Sequence, residues 1–287
     1  MGTQRQGADP MITANSRILL LILCCVSTFS FAQQDEPEAF YLANEGVMVT
    51  DGDTKILFDP LFPDSYGQYL LVPEAIKAAL FAGEAPFVDV DAIFVSHYHG
   101  DHFSPDEVLA LMKAQPQIQL YAPAQAVIAM RTEATAEEAM VFERVNSVSL
   151  EYKDTPVTLN MQNLLVEAVR IPHSGWPTGR LDVENIVWRV TINDGTTVLH
   201  MGDADPNDVH FASDAAYWNR NTPNMAFPPY WFFSSNSGRQ ILQDRIKAGS
   251  SVGIHVPYTI PSDPIRRPRE LRGADIFTQS GETRTIR

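Results

Sequence analysis

The sequence predicts an α/β fold, and its strand and helix runs fit two β-sheets with helices outside them. Three observations carry that prediction. Strand-like runs fall in clusters separated by helical ones. Two hairpin signals, Asp51-Gly52-Asp53 and Asn193-Asp194-Gly195, join successive strands. Third, an apolar run over residues 92–96 ends on His97-Tyr98-His99-Gly100-Asp101-His102, and a helix start follows almost at once. Loops between a strand end and a helix start are where α/β proteins carry function.

The first 32 residues do not read as part of that fold. Arg17 precedes an apolar stretch over 18–26, and Ser30 and Ala32 place small residues for cleavage before Gln33. This pattern predicts a secretory leader over 1–32, and hence a periplasmic or secreted protein. The stretch is shorter than the roughly 20 residues a spanning helix needs, so no transmembrane segment is expected in the mature chain. An uncleaved anchor is the competing reading, and either Met1 or Met11 can serve as the start. Cys24 and Cys25 are the only cysteines and both lie in the leader, leaving the mature chain neither a disulfide nor a thiolate ligand. Residues 33–38 read as a polar linker, and 39–287 as one domain. The whole chain carries a net charge of −14, and without the leader 19 basic residues face 34 acidic ones. Such a surface repels nucleic acid and anionic membranes, and says nothing about the chemistry of a pocket.

Within the domain, strands are expected over 40–42, 46–50 and 55–59, then a helix over 72–82 and the buried strand over 92–96. Ser104 can cap the next helix, with Pro105 at its first position and Glu107 completing a capping box. Val108, Leu109, Leu111 and Met112 supply its apolar face. Further strands are expected over 118–121, 148–152, 157–160, 164–171, 184–192, 196–201 and 251–256, and helices over 124–131 and 238–247. Residues 261–269, rich in Pro and Arg, read as a solvated connector.

Four of the six residues from His97 to His102 are metal-binding types. Neutral imidazoles with a carboxylate suit a borderline Lewis acid such as zinc. A catalytic metal cluster needs ligands from more than one loop, and three other positions end predicted strands: His173 after Ile171-Pro172, Asp203 after Gly202, and His255 after Gly253-Ile254. Each also has a plainer role, a packed imidazole for His173 and His255 and a turn cap for Asp203, with Asp205 as the competing carboxylate. His200 lies inside a strand and suits a supporting or core position better than a ligand. Asp59 reads as a carboxylate supporting the histidine loop, and His210 as a surface residue.

Taken together, Ile56-Leu57-Phe58-Asp59-Pro60, the His-x-His-x-Asp-His loop, Pro172-His173-Ser174, His200-Met201-Gly202-Asp203 and Ile254-His255 resemble the metallo-β-lactamase superfamily. The local texture is similar to the branch that contains ascorbate-phosphate lactonases and N-acylphosphatidylethanolamine phospholipase D. The resemblance covers the chain from about Phe40 to its end. It implies a four-layer αββα sandwich with metals at one edge of the two sheets. It also implies that His97, His99 and His173 bind one metal, and that Asp101, His102 and His255 bind a second, with Asp203 bridging and Asp101 among the catalytic groups. Two divalent ions, zinc first and manganese or iron also compatible, would activate a shared water whose hydroxide attacks the substrate.

The implied activity is that of an exported dinuclear hydrolase acting on a small ester, lactone, amide or phosphodiester. The alternatives are a phospholipase-D-like phosphodiesterase and a catalytically silent metal-binding scaffold. β-Lactam hydrolysis is disfavoured, because the mature chain lacks the cysteine ligand of some such enzymes and carries an aspartate after Gly202 that others lack. An aromatic stretch, Phe227-Pro228-Pro229-Tyr230-Trp231-Phe232-Phe233, follows Asp203; Tyr230 and Trp231 are expected either to line an apolar substrate wall or to pack a strand. No Lys/Arg cluster or glycine-rich loop marks a phosphate site, although Arg180 can reach the pocket. The expected partner is a small molecule, and oligomeric state does not follow from the sequence.

Overall fold

A computed structural model describes Met1 and residues 36–161, 163–193 and 195–287. The leader expected up to residue 32 (Met1 apart), the first half of the linker and Asp194 of the second hairpin signal lie outside the described residues. Among the described residues, no helix is long and apolar enough to cross a membrane.

The first sheet starts with β1 (Glu38–Ala43), β2 (Gly46–Asp51), β3 (Thr54–Phe58), β4 (Ala92–Phe94), β5 (Gln119–Pro123) and β6 (Val145–Val148), side by side in chain order. The second holds β7 (Val157–Met161), β8 (Leu164–Arg170), β9 (Ile186–Ile192), β10 (Thr196–His200), β11 (Met225–Phe227) and β12 (Ser250–Ser251). β13 (Thr283–Thr285) returns to the first sheet beside β1. Hairpin-linked strands pair antiparallel in each sheet, whereas β3 to β6 and β10 to β12 run parallel. Three helices cover the first sheet: α1 (Glu74–Ala82), α2 (Pro105–Ala114) and α3 (Ala124–Glu133). Four short ones belong with the second: α4 (Asp208–Ala212), α5 (Ala215–Arg220), α6 (Trp231–Ser234) and α7 (Asn236–Ile241).

Side-chain alternation sorts these elements into four layers. Val47, Val49, Ile56, Phe58 and Phe94 of the first sheet meet Val166, Ala168, Ile186, Trp188 and Val190 of the second, forming the central core. The opposite faces carry Met48, Leu57, Ile93 and Leu120 against Leu80, Val108 and Met112 of the helices. On the second sheet, Val169, Val187, Leu199 and Ala226 pack on Phe211, Trp218 and Ile241. A strand buried on both faces needs an unbroken apolar run, which is why Ile56-Leu57-Phe58 lacks polar alternation. Trp188 also ties the sheets together by donating from its indole to the Val95 carbonyl, 2.9 Å away.

Several expectations need correction. The strand expected over 148–152 is β6, which ends at Val148; Leu150 remains buried, but its carbonyl accepts from the Arg170 guanidinium instead of a ladder. The strand expected over 251–256 shrinks to β12 and single bridges at Gly253 and Ile254. Its neighbour is Pro228-Pro229, which has no N–H groups to extend a ladder. The three-residue strands β11 and β13 escape prediction because they are too short to show a period. Ser104 does cap α2 by accepting from Glu107 N, but the reciprocal half of the box is replaced by a Glu107–Lys77 ion pair at 2.7 Å. The helix expected over 238–247 is α7 followed by a π-helical turn, Leu242–Ile246. The connector over 261–269 is anchored: buried Arg267 donates to the carbonyls of Pro261, Ser262 and Ala274.

One charged pair lies inside the second outer layer. Arg189, buried, makes a two-pronged bond to Glu167 at 2.6 and 2.8 Å and donates to the carbonyls of Tyr217 and Asn221. Its guanidinium lies 3.9 Å from the centre of the Tyr217 ring, and Arg220 also reaches Glu167. This network attaches α5 to the sheet. Replacing Glu167 with Ala strands a buried guanidinium and should lower unfolding free energy by about 3–5 kcal/mol. Urea melts of Glu167→Ala read this directly; a loss under about 1 kcal/mol would contradict the assignment.

Candidate metal centre

The site assembles where segments leaving both sheets are bonded to one another. Asp59, just past β3, takes a left-handed backbone (φ 38°), and its carboxylate accepts Ser96 N at 2.7 Å and Ser96 Oγ at 2.5 Å. Ser96, just past β4, in turn accepts Ile186 N of β9 across the sandwich at 2.9 Å. Asn185 clamps the other sheet: its amide donates to the carbonyls of Ile171 and Met201, and its oxygen accepts Asp203 N at 3.0 Å. Gly202 sits in that crowd with φ 51°, and a Cβ there would approach Asn185 Oδ1 to 2.4 Å and Ser96 Cβ to 2.6 Å. Only glycine meets both demands, which explains the residue before Asp203.

Two ligand sets result. His97, His99 and His173 form the first, with ring centres 4.7–4.9 Å apart. The second brings Glu45, His102, Asp203 and His255 within ligating range of one another, and Asp101 lies beside it, with His255 Nε2 3.3 Å and His102 Nε2 3.7 Å from Asp101 Oδ2. Asp203 stands between them. Its Oδ2 is 3.0 Å from His173 Nε2, while its Oδ1 is 3.2 Å from His255 Nε2 and 3.6 Å from His102 Nε2. All seven side chains named from the sequence therefore meet at one place.

The donor chemistry fits divalent cations. His102 Nε2, His173 Nε2, His255 Nε2 and Asp203 Oδ1 are buried without a hydrogen-bond partner. Buried polar atoms are rarely left so, and here they converge. Burial, reinforced by neighbouring imidazoles, pushes His97 well below its ordinary value and His99 to about 4, so both are neutral and ready to ligate. Burial would raise the carboxyls of Asp101 and Asp203, yet the surrounding histidines hold both below the usual range. Burial likewise opposes charge on His102, but Asp203 and Asp101 beside it favour a proton there. Positive charge is thus what the site asks for.

Supporting groups fix the ligands. Asp59 Oδ2 lies 2.9 Å from His102 Nδ1, which leaves Nε2 facing the centre. His200 is not in the ligand sets around the cavity: it stacks on Phe58 with ring centres 4.9 Å apart, and its Nε2 lies 3.0 Å from the Glu45 carbonyl. Glu45 was not singled out by the sequence. It is fully buried, has both carboxylate oxygens unpartnered, and its Oε2 is 3.4 Å from His200 Nε2 and 3.8 Å from His102 Nδ1. Asn44 and Asn185 escaped notice too; Asn44 donates to the Asp101 carbonyl and accepts His255 N.

A cavity of about 330 Å³ opens over the ligands. Trp231 forms part of its wall, with its ring edge-on to His255 and its indole bonded to the Ala204 carbonyl. Tyr230 packs edge-on against Trp231 and is not in the cavity lining. Tyr69, which the sequence did not flag, packs edge-on against His255 with ring centres 4.1 Å apart. Burial, and then the charge of Asp203, hold its hydroxyl well above the ordinary phenol range, so it remains a neutral donor. His210 is buried, contrary to expectation, because Tyr152 OH meets its Nδ1 at 2.8 Å and Trp176 lies edge-on to its ring.

Two layered sheets with outer helices and a histidine–aspartate cluster at their edge define the metallo-β-lactamase architecture. A family model described as a beta-lactamase superfamily domain matches residues 54–218, more than half of the chain, and the chain belongs to that superfamily. Curated relatives include a UPF0173 metal-dependent hydrolase of Thermus thermophilus, 37% identical over 73 residues, covering 25% of this chain and 27% of the relative. Another, from Pyrococcus abyssi, is 27% identical over 153 residues, covering 53% and 56%. The matches thus span about a quarter and about half of these relatives' lengths. Among solved structures, Igni18, a metallo hydrolase from Ignicoccus hospitalis, superposes with a TM-score of 0.56 at 14% identity, covering 87% of this chain and 98% of its own. It shares the fold.

Asp59 should matter to metal affinity as well as to the seating of Ser96. Asp59→Ala is expected to weaken metal binding 10- to 100-fold, the usual cost of losing a carboxylate behind a ligating imidazole. Competition against a chromophoric chelator measures it; equal affinity in mutant and wild type would remove Asp59 from the supporting shell.

Proposed function

We propose that the protein is a metal-dependent hydrolase with a dinuclear centre, acting on a small ester, lactone, amide or phosphodiester. The observation that carries this reading is Asp203, whose two oxygens face two separate ligand sets. His97, His99 and His173 would hold one divalent ion, and Asp101, His102 and His255 the other, with Asp203 shared. Zinc suits the nitrogen- and oxygen-only donors best, and manganese or iron is compatible. When bound, such a pair supplies an activated water and a Lewis-acid clamp on the scissile group.

The chain's own residues do the rest. Asp59 keeps the His102 proton on Nδ1 and its Nε2 turned to the centre. Trp231 and Tyr69 close two sides of the cavity and limit water around the reacting group. The neutral Tyr69 hydroxyl is placed to donate a hydrogen bond to a substrate oxygen that gains charge as the bond breaks. Asp101, at the cavity floor, can accept a proton from the attacking water and return it to the leaving oxygen or nitrogen. Hydrolysis then yields an acid and an alcohol, amine or second ester fragment. Kinship with the lactonase and phospholipase branch belongs to this proposal, as does export by the leader expected over residues 1–32.

Protein purified without chelators should contain about two equivalents of metal, and Asp203→Ala should retain one or fewer. Mass spectrometry of metal content decides it, and two firmly held equivalents in Asp203→Ala would rule out the shared carboxylate. Stripping the metal should abolish hydrolysis of a panel of nitrophenyl esters, lactones and bis-(nitrophenyl) phosphate. Activity that survives stripping, or a fully loaded protein inert on the whole panel, would favour the silent scaffold. Trp231→Ala should raise KM for acylated substrates several-fold, and an unchanged KM in a folded variant would leave Trp231 with packing alone.

A further inference from the structure

Arg180 is the one Lys or Arg side chain among the cavity's lining residues. Its guanidinium donates to the Ser174 carbonyl at 3.3 Å, next to the ligand His173. Arg180 is exposed, and among the described residues no carboxylate lies within ion-pair distance of it, so the rest of its donors are open to solvent or to a ligand. The backbone holds it in the left-handed region, φ 55°, an uncommon state for a residue with a Cβ. Such conformations persist where their surroundings enforce them, and the surroundings here are specific. Ser174 N donates to the Asp203 carbonyl and Gly175 N to the Asp205 carboxylate, while Gly179 N and Val183 N close turns on either side of Arg180. The loop that carries Arg180 is therefore bonded to the segment that carries Asp203.

The rest of the cavity is polar. Gln68, Ser174, Tyr66 and Tyr69 bring hydrogen-bonding groups, and Trp231 is the one large apolar wall among the described lining residues. A cavity of about 330 Å³ with that lining suits a small polar molecule and has no channel of apolar side chains for an acyl tail. The chain as a whole is strongly acidic, so an anion gains nothing from the general surface. Its attraction has to come from the site, where an arginine fork matches carboxylate or phosphate oxygens two at a time.

We infer that the substrate is a small anionic ester, lactone or amide, bearing a carboxylate or phosphate that Arg180 holds while the scissile group lies over the ligand cluster. This rests on the hydrolase reading above and narrows it, setting aside long-chain lipid substrates. Arg180 is then a specificity residue and not part of the bond-breaking machinery.

The test compares metal-loaded wild type, Arg180→Ala and Arg180→Lys on three esters with one leaving group: 4-nitrophenyl acetate, mono-4-nitrophenyl succinate and 4-nitrophenyl 3-phosphonopropionate. Wild type is expected to favour at least one charged ester over acetate by about ten-fold or more in kcat/KM. Arg180→Ala should collapse that ratio about ten-fold through KM, with Arg180→Lys intermediate. The ester whose ratio falls further identifies the anion. No preference in wild type, or an equal loss on all three esters in Arg180→Ala, would overturn the inference. Calorimetry with levulinate and with propylphosphonate, which carry one carboxylate or one phosphonate and no hydrolysable bond, reads binding without turnover. Affinity about ten-fold weaker in Arg180→Ala supports the subsite, even if none of the esters is hydrolysed and the hydrolase reading itself falls. Equal affinity in the two proteins overturns the subsite, whatever the hydrolysis assays show.

Discussion

A buried cluster of imidazoles and carboxylates with unpartnered atoms needs positive charge at its centre, and the edge of this sandwich is organised around that need. His102, His173, His255 and Asp203 each aim a buried donor atom inward with no protein group to meet it. Leaving buried polar atoms unpaired costs of order 1–3 kcal/mol each, more when charged, so a fold tolerates several only when something else satisfies them. A divalent ion does so, and in its absence a proton on His102 partly serves. The same demand accounts for the conformations that look costly in isolation. His255 and Asp59 both take left-handed backbones, each held by a hydrogen bond from its own N–H, to the Asn44 and Phe94 carbonyls respectively.

The sheets contribute rigidity more than chemistry. Trp188 and Ile186 bond across the sandwich to the residues just past β4, so the histidine loop is referenced to both sheets at once. Asn185 performs the matching task for the segments after β8 and β10. Distances of 3.0–3.6 Å from Asp203 to three histidines depend on these two clamps. Positions for catalytic ligands must be held to a fraction of an ångström, and elements fixed by packing do that better than free loops. Function, on this view, is confined to what the loops add. Tyr69 and Trp231 shape the cavity, and Arg180 gives it a charge preference opposite to that of the molecular surface.

Much of this was legible in the chain. The His-x-His-x-Asp-His loop stood out because its spacing is chemically narrow, and His173, Asp203 and His255 were found by asking which metal-binding residues end strands. The α/β class followed from clustered strands and two hairpin signals, because alternation and turn chemistry are local properties, while the four-layer topology came from the family resemblance. Short strands such as β11 and β13 were not legible, since three residues cannot display a period. The burial of His210 was missed because its partners, Tyr152 and Trp176, lie far away in sequence. Glu45 was missed for the same reason: it lies in the turn between β1 and β2, and only the second sheet places His200 beside it.

By itself, then, the sequence determined which residue types could bind metal, which strands would bring them to an edge and how the outer faces would be covered. These are matters of composition, spacing and period, all readable within about ten residues. Only the tertiary structure decided that Asp203 turns one oxygen to His173 and the other to His255 and His102, that the Glu45 carboxylate lies without a hydrogen-bond partner behind His102, and that Tyr69 and Arg180 line the cavity while Tyr230 does not. Those outcomes depend on contacts between segments distant in sequence, from His173 with Asp203 to Glu45 with His200. No local pattern encodes them, because they are set by how two independently patterned sheets pack against each other.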